Sequence, residues 1–247
     1  MDKQENKTVV LKPPSRSKNI FTDFINFMWN RPEIPTLIKF KTDEDRKEYN
    51  ERILQRIGLK VDRFSILNLH KIGVEAPVSL VFNELLNWNG DSTCWPNHVA
   101  HVQRINNEIE QVQILPFGWK KYPFGLKSFF GFQPIPLFNL NSIRIKSTPD
   151  SFDFDNARYL LYKCSGGYPI GFFSMYVRSS IPEMSETEHS QLIFIVGFNF
   201  YGKEKSRTPK LVKRIWESVH NRVTTNVLIR IKQLCEWRIA KMENGIN

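Results

Sequence analysis

The sequence predicts an α+β fold: a curved antiparallel sheet of about six to seven strands wrapped on a long C-terminal helix, with a helical extension in front. Three observations point there. Apolar residues keep helical spacing from Val212 to Leu234, several segments between residues 66 and 201 alternate apolar and polar, and Gly, Asn and Asp clusters punctuate them.

The composition suits one large domain with an extension. The chain has 247 residues, of which 41% are hydrophobic and 24% charged, enough for a sizeable core under a solvated surface. Aromatic residues reach 13%, with 19 Phe and 6 Trp, so aromatic area fills a large core, lines a cavity or forms a contact site. Cys94, Cys164 and Cys235 are widely spaced and form no metal-ligand pattern, which reads as buried thiols in a reducing compartment. Residues 1–18 contain no apolar signal core and no run of about 20 apolar residues occurs. A cytoplasmic protein is expected. The net charge of +10 is uneven: residues 1–63 carry 14 Lys/Arg against 10 Asp/Glu, and residues 201–247 carry 11 against 4. Such a basic helix can attract nucleic acid or anionic lipid, although a solvated helix face is the plainer reading.

Taken in order, residues 1–18 read as a loose polar tail. Phe21, Phe24, Ile25 and Met28 then repeat at i, i+3, i+4, i+7, a helical stripe ended by Arg31-Pro32. Thr42 is placed to cap a second helix, with Asp43, Glu44 and Asp45 in its first turn and Gly58 beyond its end. Residues 1–63 make up this extension, and residues 64–247 the main domain. A strand over 66–74 puts Ile66, Asn68, His70, Ile72 and Val74 on one face. Pro77 opens a short helix that directs Leu80, Val81 and Leu85 inward. Strands over 99–105 and 109–115 meet at Asn106-Asn107 as a hairpin. Residues 116–140 interleave Phe117, Trp119, Tyr122, Phe124, Phe129, Phe130, Phe132 and Phe138 with Gly and Pro, which reads as an irregular aromatic loop. Further strands are expected over 141–147, 158–164, 170–178 and 191–201. The final helix starts at Thr208-Pro209 and runs to about Met242, roughly 45 Å, with Val212, Ile215, Trp216, Val219, Val223, Leu228, Ile231 and Leu234 facing the sheet.

This order resembles the START-like helix-grip superfamily, also called SRPBCC. Three passages carry the resemblance: residues 72–82 (Ile-Gly-Val-Glu-Ala-Pro-Val-Ser-Leu-Val-Phe), Trp95-Pro96 ahead of a strand, and the long helix after an apolar strand. The resemblance covers residues 64–242 and implies a cavity between sheet and C-terminal helix that holds a hydrophobic ligand. It implies no specific catalytic residue.

For chemistry, the residues themselves offer few candidates. His70 shares a face with Ile72 and Val74, so it either serves as a general acid/base in the cavity or stands as a hydrogen-bonded structural histidine. Asn68 would share that face and orient a ligand carbonyl. Tyr176 has the parity of Phe172, Ser174 and Arg178; if their face lines the cavity, Tyr176 can donate to an oxygen and Arg178 can pair with a carboxylate. The alternative is an ordinary cross-strand pair with an edge charge. Trp95, Phe172, Phe194, Val196 and Trp216 complete the expected ligand-binding set. His98 and His101 fall on opposite faces of a strand, and His189 and His220 stand isolated, so no metal is expected. Catalytic triads, phosphate loops and dinucleotide fingerprints are all missing, and no cofactor is expected.

The expected function is therefore binding of a lipid, quinone or polyketide-like molecule. An aromatase/cyclase or dehydratase acting on such a ligand is the alternative, and a basic nucleic-acid or ribosome-associated module a weaker one. The aromatic loop 116–140 either gates the cavity, covers the core, or touches a membrane or protein.

Overall fold

The computed structural model describes residues 34–56, 66–86, 100–104, 111–116, 138–142, 157–165, 170–180, 189–199 and 210–244, together with Pro32 and Phe64. Seven strands form one antiparallel sheet: β1 (Ile66–Val74), β2 (Ala100–Arg104), β3 (Gln111–Pro116), β4 (Phe138–Ser142), β5 (Ala157–Ser165), β6 (Ile170–Ser179) and β7 (Ser190–Asn199). Their order is β1-β7-β6-β5-β4-β3-β2, so the first strand pairs with the last and β1 and β2 stand at opposite edges. Three helices are described: α1 (Asp43–Arg56), α2 (Val78–Leu86) and α3 (Lys210–Glu243). The stripe at Phe21–Met28 and the residues 117–137 of the aromatic loop lie outside the described residues, whereas Phe138, Asn139 and Leu140, expected in that loop, open β4, so the strand expected from residue 141 starts three residues earlier.

The period-two pattern sets the two faces. Ile72 and Val74 on β1, Leu192 and Phe194 on β7, Phe173, Met175 and Val177 on β6 and Tyr162 on β5 pack with Val227, Leu228, Ile231, Leu234 and Cys235 of α3. This is the inner face, and α2 adds Val81 and Leu85 to it. The outer face carries Leu67, Leu69, Tyr159, Leu161, Phe172, Tyr176, Ile193 and Ile195, covered by Ile53 and Leu54 of α1. Both faces of β7 are buried along residues 192–195, which explains its unbroken apolar run Leu-Ile-Phe-Ile. On β1 the outward Lys71 and Gly73 are exposed, because α1 covers only the other end of that strand.

Local chemistry explains the helix ends. Thr42 Oγ1 accepts from the Asp45 amide at 3.0 Å, so Thr42 is the expected N-cap, with three acidic residues in the first turn behind it. Arg46 then donates to the Leu67 carbonyl at 2.6 Å, tying α1 to β1. Residues 36–38 run along the free edge of β1: Ile38 N donates to Leu69 O at 3.0 Å and Lys71 N to Thr36 O at 2.8 Å. An edge that would otherwise offer unpaired amides is thus capped by the chain's own segment. Glu84, 9% exposed, receives Arg238 on both carboxylate oxygens at 2.8 and 2.7 Å, a bidentate link from α2 to α3.

The expected inward stripe of α3 needs correction. Ile215 is 58% exposed and Val219 44%. With about 100° per residue, they lie roughly 160° and 120° around the helix from the buried Ile231. Among the described residues, the buried positions of α3 are Thr224, Thr225, Val227, Leu228, Arg230, Ile231, Leu234 and Cys235.

Gly197 marks a close approach on the outer face. A Cβ built there would stand 2.3 Å from Cε1 of Phe172, its cross-strand partner on β6, whose ring also meets Phe64 edge-on at 4.8 Å. Gly197→Ala is therefore expected to displace the Phe172 ring and cost about 1–3 kcal/mol in denaturant unfolding. A neutral effect would show that the ring is not held there.

Candidate functional site

The inner face holds a polar cluster inside an apolar seam. His70 is 0% exposed and lies opposite Phe194 in the β1–β7 register. Its Nδ1 lies 2.9 Å from Thr36 Oγ1 and its Nε2 3.0 Å from Asn221 Oδ1. Thr36 Oγ1 lies 2.7 Å from Thr225 Oγ1. These contacts order themselves. The Asn221 carbonyl oxygen only accepts, so Nε2 carries the proton and donates to it. Nδ1 must then accept from the Thr36 hydroxyl, and Thr36 accepts from Thr225. One chain of three hydrogen bonds joins α3, β1 and the 36–38 segment.

Electrostatics keep the cluster neutral. Burial lowers the His70 pKa to about 4, although the Asn221 bond opposes the shift. His220 is lowered to about 3, first by burial and then by His70, whose ring centroid is 6.2 Å away. At neutral pH both imidazoles are uncharged. Both ring nitrogens of His70 are engaged within the fold, Nδ1 by Thr36 and Nε2 by Asn221.

The structure separates the remaining candidates. Asn68, Phe194 and Val196 share the inner face with His70. Asn68 is 7% exposed, and its Nδ2 has no hydrogen-bond partner among the described residues. Phe194, 2% exposed, packs edge-on against Phe173 at 5.3 Å, a core contact. Phe172, Tyr176 and Arg178 correct the expectation that they line the cavity. They lie on the outer face under α1, because the parity of β6 gives the inner face to Phe173, Met175 and Val177. Arg178 donates through Nε and Nη2 to Gln191 Oε1 at 3.1 and 2.8 Å on the neighbouring strand. Tyr49 of α1 stands close enough to Arg178 and Tyr176 to feel them, and burial raises its pKa. Trp95 and the side chain of Trp216 lie outside the described residues.

His220, Asn221, Thr225 and Thr36 were not singled out by sequence pattern. His220, read as isolated, faces His70 across 150 positions of sequence. The available signal was the group of small polar residues Asn221, Thr224, Thr225 and Asn226 that flanks Val223 of the expected stripe.

A cavity of about 360 Å³ opens beside the outer end of β1, lined by Leu37, Phe40, Thr42, Arg46 and Leu67 among others. It lies between α1 and the edge of the sheet, away from the seam under α3. Among the described residues no group of three His, Cys, Asp or Glu could hold a metal ion, and no helix is long and apolar enough to cross a membrane.

A seven-stranded antiparallel sheet with a C-terminal helix along its inner face is the helix-grip arrangement. Among solved structures the chain is similar to the Zhui aromatase/cyclase from Streptomyces sp. R1128, at 16% identity and TM-score 0.47, covering 70% of this chain and 95% of that one. It is also similar to a START superfamily protein from Mycobacterium smegmatis, at 8% identity and TM-score 0.43 over 68% and 98% of the two chains. A third is norcoclaurine synthase from Thalictrum flavum, solved with dopamine and hydroxybenzaldehyde, at 12% identity and TM-score 0.43 over 68% and 85%. No family model and no curated protein matches the sequence.

Proposed function

We propose that the protein binds an apolar small molecule, of lipid, quinone or polyketide-like character, between the inner face of the sheet and α3. One observation carries this reading. The buried seam under α2 and α3 lies on β1, β5, β6 and β7, one side of a sheet whose inner face continues through β4, β3 and β2. A ligand would lie over the β4–β2 half of that face, in the kind of cleft between a helix and a sheet where small-molecule sites form. Binding rather than catalysis is favoured because the inner-face histidine has both ring nitrogens committed to Thr36 and Asn221.

The test is titration with an environment-sensitive apolar dye. Saturable binding is expected, and Val196→Arg, which puts a charge on the half-buried inner edge of the seam, should weaken it at least tenfold. Tyr176→Phe, on the outer face, should leave affinity within about twofold. Unsaturable binding by a natively folded protein, or equal losses at both positions, would remove the reading.

A further inference from the structure

The inner face of the sheet is a lattice of cross-strand rows, and one row ends on a charge. The register from β1 to β5 places His70, Phe194, Met175 and Leu160 in one row, and Ile72, Leu192, Val177 and Arg158 in the next. Ile72, Leu192 and Val177 are buried, at 5% exposure or below, within the cluster under α2 and α3. The row then closes on a guanidinium. Arg158 shares the parity of Leu160 and Tyr162, which both pack in the inner cluster, so β5 turns it onto the inner face.

A charge in that position calls for an anion. Arg158 is half-buried, and its Nε is shielded from solvent with no hydrogen-bond partner among the described residues. Phe82 of α2 holds its ring centroid 5.9 Å from the guanidinium carbon. That cation–π contact offsets part of the desolvation but leaves the N–H groups without an oxygen acceptor. Glu84, the one acidic residue of α2, has both carboxylate oxygens taken by Arg238. The side chains next to Arg158 on its own face, Leu160 along the strand and Val177 across it, offer no acceptor.

The position also suits the head of a bound molecule. α2 packs on β5, β6 and β7, and Arg158 on β5 stands where that cover meets the β4–β2 half of the face. Tyr162, four residues along β5 and about 13 Å away, lies opposite Ser142 of β4. A ligand held by its head at Arg158 would lay its apolar body past Leu160 and Tyr162 toward β4. The planar fork of an arginine matches the two oxygens of one carboxylate, and a single guanidinium balances a single negative charge.

We propose that Arg158 receives the carboxylate of the ligand, so that the molecule taken on the inner face is an apolar monocarboxylic acid. This rests on the reading that an apolar ligand binds there, and it narrows that ligand to a class.

A fluorescent polyene fatty acid and its methyl ester, each titrated into the full chain at neutral pH, test this. Both are expected to bind saturably, the acid at least tenfold tighter. Arg158→Gln should raise the Kd of the acid to that of the ester. Arg178→Gln, which removes the same charge from the outer face, should keep the tenfold preference. If Arg158→Gln does not fold, Arg158→Lys takes its place: it keeps the charge and loses the fork, and should cut the preference at least threefold. Equal affinity for acid and ester in the unaltered chain would overturn the proposal, as would a preference that survives Arg158→Gln, while binding of the ester would leave the apolar site standing. Saturable binding of neither probe would remove the apolar site, and this proposal with it.

Discussion

Lowering the pH from 7 to 4.5 is expected to remove on the order of 3–5 kcal/mol of folding stability through His70 and His220 alone. Both have folded pKa values, about 4 and about 3, below the 6.5 of an exposed imidazole. Above pH 6.5 both states hold the rings neutral, and the stability is fully present. As the pH falls below 6.5 the unfolded chain binds protons that the folded chain refuses, so stability drops by up to about 1.4 kcal/mol per pH unit for each ring. The loss stops only when the folded rings protonate, near pH 4 and below. Protonation at Nδ1 of His70 would also turn an acceptor for Thr36 into a second donor and break the chain to Thr225. Urea unfolding at pH 7 and 4.5 measures the difference. The double variant His70→Gln/His220→Gln should start less stable and lose markedly less on acidification. An equal loss in both proteins would place the acid sensitivity elsewhere, among the carboxylates.

Phe194→Ala is expected to cost about 3–5 kcal/mol, the range for deleting a buried aromatic ring. Phe194 is 2% exposed in the centre of the inner cluster, edge-on to Phe173 and across the strand pair from His70. Its neighbours Met175, Leu192 and Leu228 are fully buried in a sheet-and-helix seam, which leaves little room to collapse into the void. Ile215→Ala is the matched comparison from the same family of apolar positions, and its cost should stay below about 1 kcal/mol because the side chain is already largely in solvent. Chemical denaturation of both variants decides the matter. Similar costs would mean that Ile215 faces the core and that the assignment of faces on α3 is wrong.

The comparison of those two residues shows how far sequence reading reaches. Period-two alternation on β7 put Leu192, Phe194 and Val196 on one face, and that is where the strand holds them. Helical spacing announced α3, but spacing alone left Ile215 and Val219 in the same stripe as Leu228. Small angular steps accumulate along a 34-residue helix, and only the sheet says which azimuth is inside. On β6 both alternating sets carry large apolar side chains, and the polar Ser174 and Arg178 in the Phe172-Tyr176 set did not by themselves say which helix each set would meet. The position of α1 chose: it lies over the first set, and α3 lies over the second.

What the sequence by itself determined was local and periodic: strand and helix identity, the Thr42 cap, the Pro77 start of α2, the inward parity of His70, and the long final helix. These follow from backbone sterics, capping chemistry and the alternation of side chains, all of which act within a few residues. What only the tertiary structure decided was which face meets which helix, and which partners complete each polar group. The bonds from Thr36 to His70 and to Thr225 span 34 and 189 positions, and that from His70 to Asn221 spans 151. A buried histidine must find its hydrogen-bond partners wherever packing brings them, because leaving them unmade costs about 1–3 kcal/mol per group. That requirement is visible at His70 in the sequence, whereas the residues that meet it are set by how β1, α3 and the N-terminal segment come together.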